Sequence, residues 1–167
     1  MRLPLGNAVE QAVDLRGKSF RATVEARLKE KFNGYIALAI EGNYGIEEGS
    51  LIFRSGSVLG AAYEYSKQGV EVFGNDAAKA CFNAAAAKYV AMDVYSLSQQ
   101  QVDLALALNE NARLNPAIGL NAVGRYFVQI FSPQLAERHL VKQLQEKALK
   151  ESKASVLKKL GLSGIGG

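Results

Sequence analysis

The sequence predicts an α/β (α+β) fold: an antiparallel, hairpin-based sheet flanked by helices, with a helical C-terminal extension. Three observations predict it. Phe20, Val24, Leu28 and Phe32 recur every four residues and fall on one face of a helix. From Tyr35 the period drops to two, and both alternating sets (Tyr35, Ala37, Ala39 and Ile36, Leu38, Ile40) are apolar, so the strand should be covered on both faces. Ser55-Gly56 separates two further apolar runs and marks a tight hairpin turn.

The remaining elements follow from their boundaries. Asn7 is placed to cap a helix over residues 7–15, with Val9 and Val13 on one side and Gly17 ending it. Ser19 opens the amphipathic helix, which stops at Asn33-Gly34. Residues 41–49 are turn-rich, and Glu47-Glu48 read as solvated turn residues. Residues 50–54 and 57–65 pair as the hairpin, with a short strand at 70–73. Asn75 is the expected cap of an alanine-rich helix over 77–90, residues 91–97 form a returning strand, and Ser98 caps the next helix. Residues 109–116 close that segment. The first half of 117–131 reads as helix, and Ser132-Pro133 opens a helix that runs without Gly or Pro to about residue 160.

At 167 residues, 49% apolar and 22% charged, the chain suits one globular domain, assigned to residues 1–131, followed by a basic helix and Gly-rich tail over 132–167. No apolar run approaches the roughly 18 residues of a membrane helix, and Met1 to Asn7 turns polar too soon for a signal peptide, so a cytoplasmic location is expected. Cys81 and His139 are the only residues of their kinds. That rules out an internal disulfide framework and a zinc site of several Cys or His, and no catalytic residue, metal site or cofactor is expected. Gly119 to Arg125 imitates the spacing of a phosphate loop but has Arg125 and Tyr126 in place of Lys and Ser/Thr, so packing glycines explain it better.

Charge is unevenly distributed. Residues 1–136 hold 13 Lys/Arg against 13 Asp/Glu, and the entire net charge of +4 lies beyond them. The arm carries Arg138, Lys142, Lys147, Lys150, Lys153, Lys158 and Lys159 against Glu137, Glu146 and Glu151. It has three readings: a solvated helix packed on its own domain through Val141, Leu144 and Ala148; a helix docked into a protein partner or a second copy, with Val156, Leu157 and Leu160 as a further apolar edge; or a nucleic-acid or ribosome contact. Tyr63 and Tyr65 share one face of their strand and are candidates to line a binding surface. The expected function is therefore a non-catalytic adaptor or regulatory module that binds a protein partner through the sheet face or the C-terminal helix and self-associates. RNA, DNA or ribosome association through the basic helix is the alternative.

A family resemblance points the same way. Asn33-Gly34-Tyr35-Ile36, the stretch Glu48-Gly49-Ser50-Leu51-Ile52-Phe53-Arg54-Ser55-Gly56-Ser57-Val58-Leu59-Gly60-Ala61, Asn75-Asp76-Ala77-Ala78 and Asp93-Val94-Tyr95-Ser96-Leu97 resemble an uncharacterised domain family of archaeal proteins. More distantly they resemble the PATAN-type domains attached to bacterial response regulators. The resemblance spans residues 33–109. It implies an accessory signalling or scaffolding domain and carries over no catalytic residue.

Overall fold

The computed structural model describes residues 1–159, with the side chains of Lys147 and residues 153–159 outside the description. The chain divides into two compact units, Met1–Pro133 and the chain from Gln134 onward.

The first unit is a seven-stranded antiparallel sheet with helices on its faces. Its strands are β1 (Asn7–Asp14), β2 (Gly34–Gly42), β3 (Gly45–Arg54), β4 (Ser57–Tyr65), β5 (Val70–Phe73), β6 (Val90–Ser96) and β7 (Arg113–Gly119). They run in the order β1-β6-β2-β3-β4-β5, and β7 pairs with the start of β4 while β5 pairs with its end. The helices are α1 (Phe20–Lys29), α2 (Gly74–Ala84), α3 (Gln99–Leu108) and the single turn α4 (Leu120–Val123).

Helices α1 and α3 start at their expected caps, but α1 ends at Lys29 and not at Asn33-Gly34, so Phe32 lies beyond it. Ser19 accepts a hydrogen bond from the Ala22 amide, and Phe20, Val24 and Leu28 are buried. Ser98 and Gln101 make a reciprocal capping box at the start of α3, and Val102, Ala105 and Leu106 face inward. The β3–β4 turn carries Ser55 and Gly56 at φ 49° and 87°, the left-handed pair that matches the twist of a two-residue hairpin.

Alternation along the strands creates two unlike faces. Ile36, Leu38, Ile40, Leu51, Phe53, Met92 and Val94 point to one and are all buried. Helix α2 packs there, with Cys81 so close to Gly49 that a Cβ on the glycine would lie 3.0 Å from the sulfur. Helix α1 joins α2 through an edge-to-face contact of Phe20 with Phe82, ring centroids 5.7 Å apart. One end of the opposite face is covered by α3, whose Val102, Ala105 and Leu106 cluster with Tyr35, Ile52 and Leu97.

Several expectations are corrected. Residues 7–15 are the edge strand β1, not a helix. Six of its eight residues are exposed, so a helix there would have had no apolar face to bury, whereas strand pairing with β6 satisfies its backbone. Residues 41–49 are mostly strand: β2 and β3 form one long hairpin around Asn43-Tyr44, and Glu47 is a buried strand residue with 2% exposure. Asn75 does not cap α2. Its amide instead bridges to Asn115, donating to the carbonyl and accepting from the N–H, and α2 ends at Ala84. Residues 113–119, read as a closing loop and the start of a helix, are strand β7. Pro116 sits in that strand at the sheet margin, where a missing N–H is tolerated.

The second unit contains α5 (Gln134–Lys159), the long helix expected after Ser132-Pro133.

Candidate interaction face

Backbone register decides which side chains stand together. Ile40, Glu47 and Tyr65 are successive partners across β2, β3 and β4, and Gly49 lies opposite Tyr63. This puts Tyr63 and Tyr65 on the α2 side of the sheet, where they are 2% and 1% exposed. They share a face, as the alternation requires, but it is a covered one, and their rings pack edge to face at 5.2 Å. They do not line an open surface.

Glu47 is the unexpected member of this cluster. Its Oε2 accepts a 2.6 Å hydrogen bond from the Tyr63 hydroxyl, while Oε1 is buried without a partner. Gly42 makes the room, because a Cβ there would fall 2.0 Å from Oε1. Burial raises the Glu47 carboxyl above its ordinary value, and the Tyr63 hydrogen bond only partly opposes it. Tyr63 and Tyr65 are themselves pushed up, first by burial. Cys81 donates toward the Ala62 carbonyl at 3.6 Å, and burial pushes its thiol up to about 12, which suits a packed thiol more than a nucleophile.

The other face is only half covered. Helix α3 and the residues beside it occupy the end that carries Tyr35, Ala37, Ile52, Leu59 and Tyr95. Beyond them one registered row crosses five strands: Ala91 on β6, Ala39 on β2, Glu48 on β3, Glu64 on β4 and Glu71 on β5. Ala91, Ala39, Glu48 and Glu71 are exposed and Glu64 is half-buried. Two residues along, on the same face, Glu41 pairs with Ile46, and Ile46 is 56% exposed. A hollow of about 380 Å³ opens over Ala39, Ile46, Ala91 and Tyr89. At the other end of the row a smaller one of about 110 Å³ lies among Glu48, Glu64, Glu71 and Met1, whose amino group is 3.5 Å from Glu71. Like charges directly opposite on neighbouring strands weaken a sheet, so the facing pair Glu48 and Glu64 is not explained by stability, whereas Glu71 is paired with the Met1 amino group.

Further surfaces are apolar or basic. A groove of about 310 Å³ runs between Phe20, Phe82 and Phe127, with Arg21 stacked over the Phe127 ring at 5.3 Å. On α5, Arg138, Lys142 and Lys150 are exposed. So are Val141 at 51%, Leu144 at 67% and Ala148. Of the other arm candidates, the side chains of Lys147, Lys153, Val156, Leu157, Lys158 and Lys159, and all of Leu160, lie outside the described residues. Among the described residues no group of three or more His, Cys, Asp or Glu is arranged to hold a metal ion, and no helix is long and apolar enough to cross a membrane.

Sequence reasoning missed both Glu47 and the acidic row. The signal was present in Gly42-Asn43-Tyr44-Gly45, a two-residue hairpin turn between glycines; it sets β3 in register with β2 and sorts Glu47 inward and Glu48 outward.

Residues 1–109 match a family described as an uncharacterized protein conserved in archaea (DUF2226), and the chain belongs to that family. No curated protein and no solved structure matches the chain.

Proposed function

We propose that this member of an archaeal family is a non-catalytic interaction module that binds a protein partner on the bare half of its sheet. One observation carries the reading: an antiparallel sheet covered by helices on one face leaves half of the other open, with Ala39, Ala91 and Ile46 exposed next to three carboxylates in register. A small apolar floor edged by like charges gives a partner both area to bury and a sign to recognise. The binding face differs from the one the tyrosines suggested, being the side on which Glu64, not Tyr63 and Tyr65, points outward. A PATAN-like accessory role in cytoplasmic signalling fits such a surface and is part of the proposal.

Site-specific photocrosslinking tests it. A photoreactive residue at Ala39 should give a discrete protein adduct in archaeal cells, and Glu48→Lys with Glu64→Lys should abolish it. An adduct pattern at Ala39 no different from that at an unrelated exposed position such as Lys79 would reject the reading.

A second reading is favoured by the exposed cations Arg138, Lys142 and Lys150 on α5. It predicts RNA binding that weakens steeply with salt and is lost in Lys142→Glu with Lys150→Glu.

A further inference from the structure

We propose that Glu47 is a pH-operated latch on the tip of the β2–β3 hairpin: the tip closes over the neutral carboxyl and lifts to admit water once the carboxyl ionises. The latch belongs to the covered side of the sheet and holds whatever docks on the bare half-face.

The carboxyl sits near the end of the hairpin. Ile40 pairs with Glu47, and beyond that row come the pairs Glu41–Ile46 and Gly42–Gly45 and then the two-residue turn. Gly42 stands directly over the carboxyl, since a Cβ there would fall 2.0 Å from Oε1 and 2.3 Å from Cδ. Gly42 is itself half-buried and Asn43 is exposed, so the backbone of the tip lies between Oε1 and solvent.

The surroundings do not compensate a charge. The Tyr63 hydroxyl donates to Oε2, and Oε1 is buried without a partner. Facing the carboxyl from β4 are Tyr63 and Tyr65, and from α2 Cys81, all neutral and held so by burial. The cations of the adjoining segments lie elsewhere. Lys67 is exposed with its stem beside Gly45, Lys79 pairs with Asp76 at 3.5 Å, and Lys88 lies over the Tyr89 ring, which lines the hollow on the other face. An ionised carboxyl accepts several hydrogen bonds and finds one here, so ionisation favours any state that lets water in.

The tip can open without the sheet. Its last ladder pair is Gly42 with Gly45, which has no side chains to pack, and Gly45 turns at φ 110°. Gln68 ties it to the chain after β4 by donating to the Tyr44 carbonyl at 3.0 Å, while the Oε1 of Gln68 is buried without a partner. The end of a hairpin held this way opens at a fraction of the cost of global unfolding. Glu41 and Ile46 move with the tip, and both wall the hollow over Ala39 and Ala91, so the latch reshapes that hollow as pH rises.

Native-state hydrogen exchange of the full chain tests the latch, with each rate divided by the intrinsic rate at that pH so that opening alone is read. As pH rises above the ordinary glutamate value of about 4.3, protection of the ladder amides in residues 42–47 should fall by about tenfold per pH unit, then level off above the raised value. Low urea should barely accelerate this exchange, whereas it should speed that of Ile36 and Leu51, paired in mid-sheet. Glu47→Gln keeps the shape of the neutral acid and cannot ionise, so its tip protection should change by less than about twofold over the same range. Tyr63→Phe removes a hydrogen bond that favours the charged form, so the fall should continue to higher pH; this variant keeps the test open if Glu47→Gln does not fold. Tip protection that is independent of pH overturns the proposal, as does a fall equally large in Glu47→Gln or one that ends at the same pH in Tyr63→Phe. So do tip amides as protected and as urea-sensitive as those of mid-sheet, which would mean that Glu47 ionises only when the whole sheet unfolds.

Discussion

Glu47 shows how one turn can place a carboxylate where its residue type predicts none. The two-residue turn at Asn43-Tyr44 fixes its register, Gly42 leaves space for its oxygen, and Tyr63 supplies one hydrogen bond of the several that an ionised carboxylate can accept. Because burial raises its pKa, the folded chain keeps a proton that the unfolded chain releases near the ordinary glutamate value of about 4.3. The sign follows from linkage. Glu47's contribution to stability is fully present below that ordinary value and is lost as pH rises through the raised one. Urea unfolding at several pH values should therefore show wild-type stability falling across this window relative to Glu47→Gln, with the two lines parallel at lower pH. A constant difference between them throughout would mean that Glu47 ionises normally. Tyr63→Phe leaves both carboxyl oxygens buried and unpaired and should cost about 1–3 kcal/mol, measured the same way at acid pH.

At the scale of elements, legibility tracked how local the information was. Helices α1 and α3 were readable because the cap and the apolar stripe lie within one segment, as the Ser98–Gln101 box shows. Ser98→Ala should accordingly cost about 1 kcal/mol in denaturant unfolding. Strand β2 was readable from its two-sided apolar pattern, and the β3–β4 hairpin from Ser55-Gly56. Strand β1 was not, since Val9 and Val13 fit a helical spacing equally well, and what decides is the free edge of β6, whose partner residues lie more than 75 positions away. Strand β7 was hidden by Pro116 and by a pairing with β4 that no local feature announces. The candidate surface suffered for the same reason: a five-strand row of side chains exists only once the register of every strand is set. Hydrogen exchange should reflect this hierarchy. Amides of β2 and β3 in mid-sheet should be the slowest, and those of β1, broken by two register shifts and with Ala12 at φ 51°, among the fastest of the strands. Equal protection of β1 and β2 would contradict the assignment of β1 as a weakly held edge.

For the whole molecule, the division of charge matches the division into units. A body without net charge is joined to a helix that carries the full excess of +4, so the electrostatics of the chain are those of its second unit. Within the second unit Val141, Leu144 and Leu149 are 51%, 67% and 62% exposed, so the helix by itself is held by propensity and i, i+4 contacts. Isolated helices held that way are marginal in water, because nucleation is costly and each further residue adds little. In dilute solution the amides of residues 141–152 should therefore exchange fast, close to the rate of an unstructured peptide, while the sheet remains protected. If RNA binds the exposed cations of that stretch, the bound helix is stabilised by mass action and protection must grow with RNA concentration. In the Lys142→Glu, Lys150→Glu variant it should stay low at every RNA concentration. Protection of residues 141–152 that is high without RNA, or that rises with RNA concentration equally in both proteins, would show that the helix is held by something other than RNA bound to its cations.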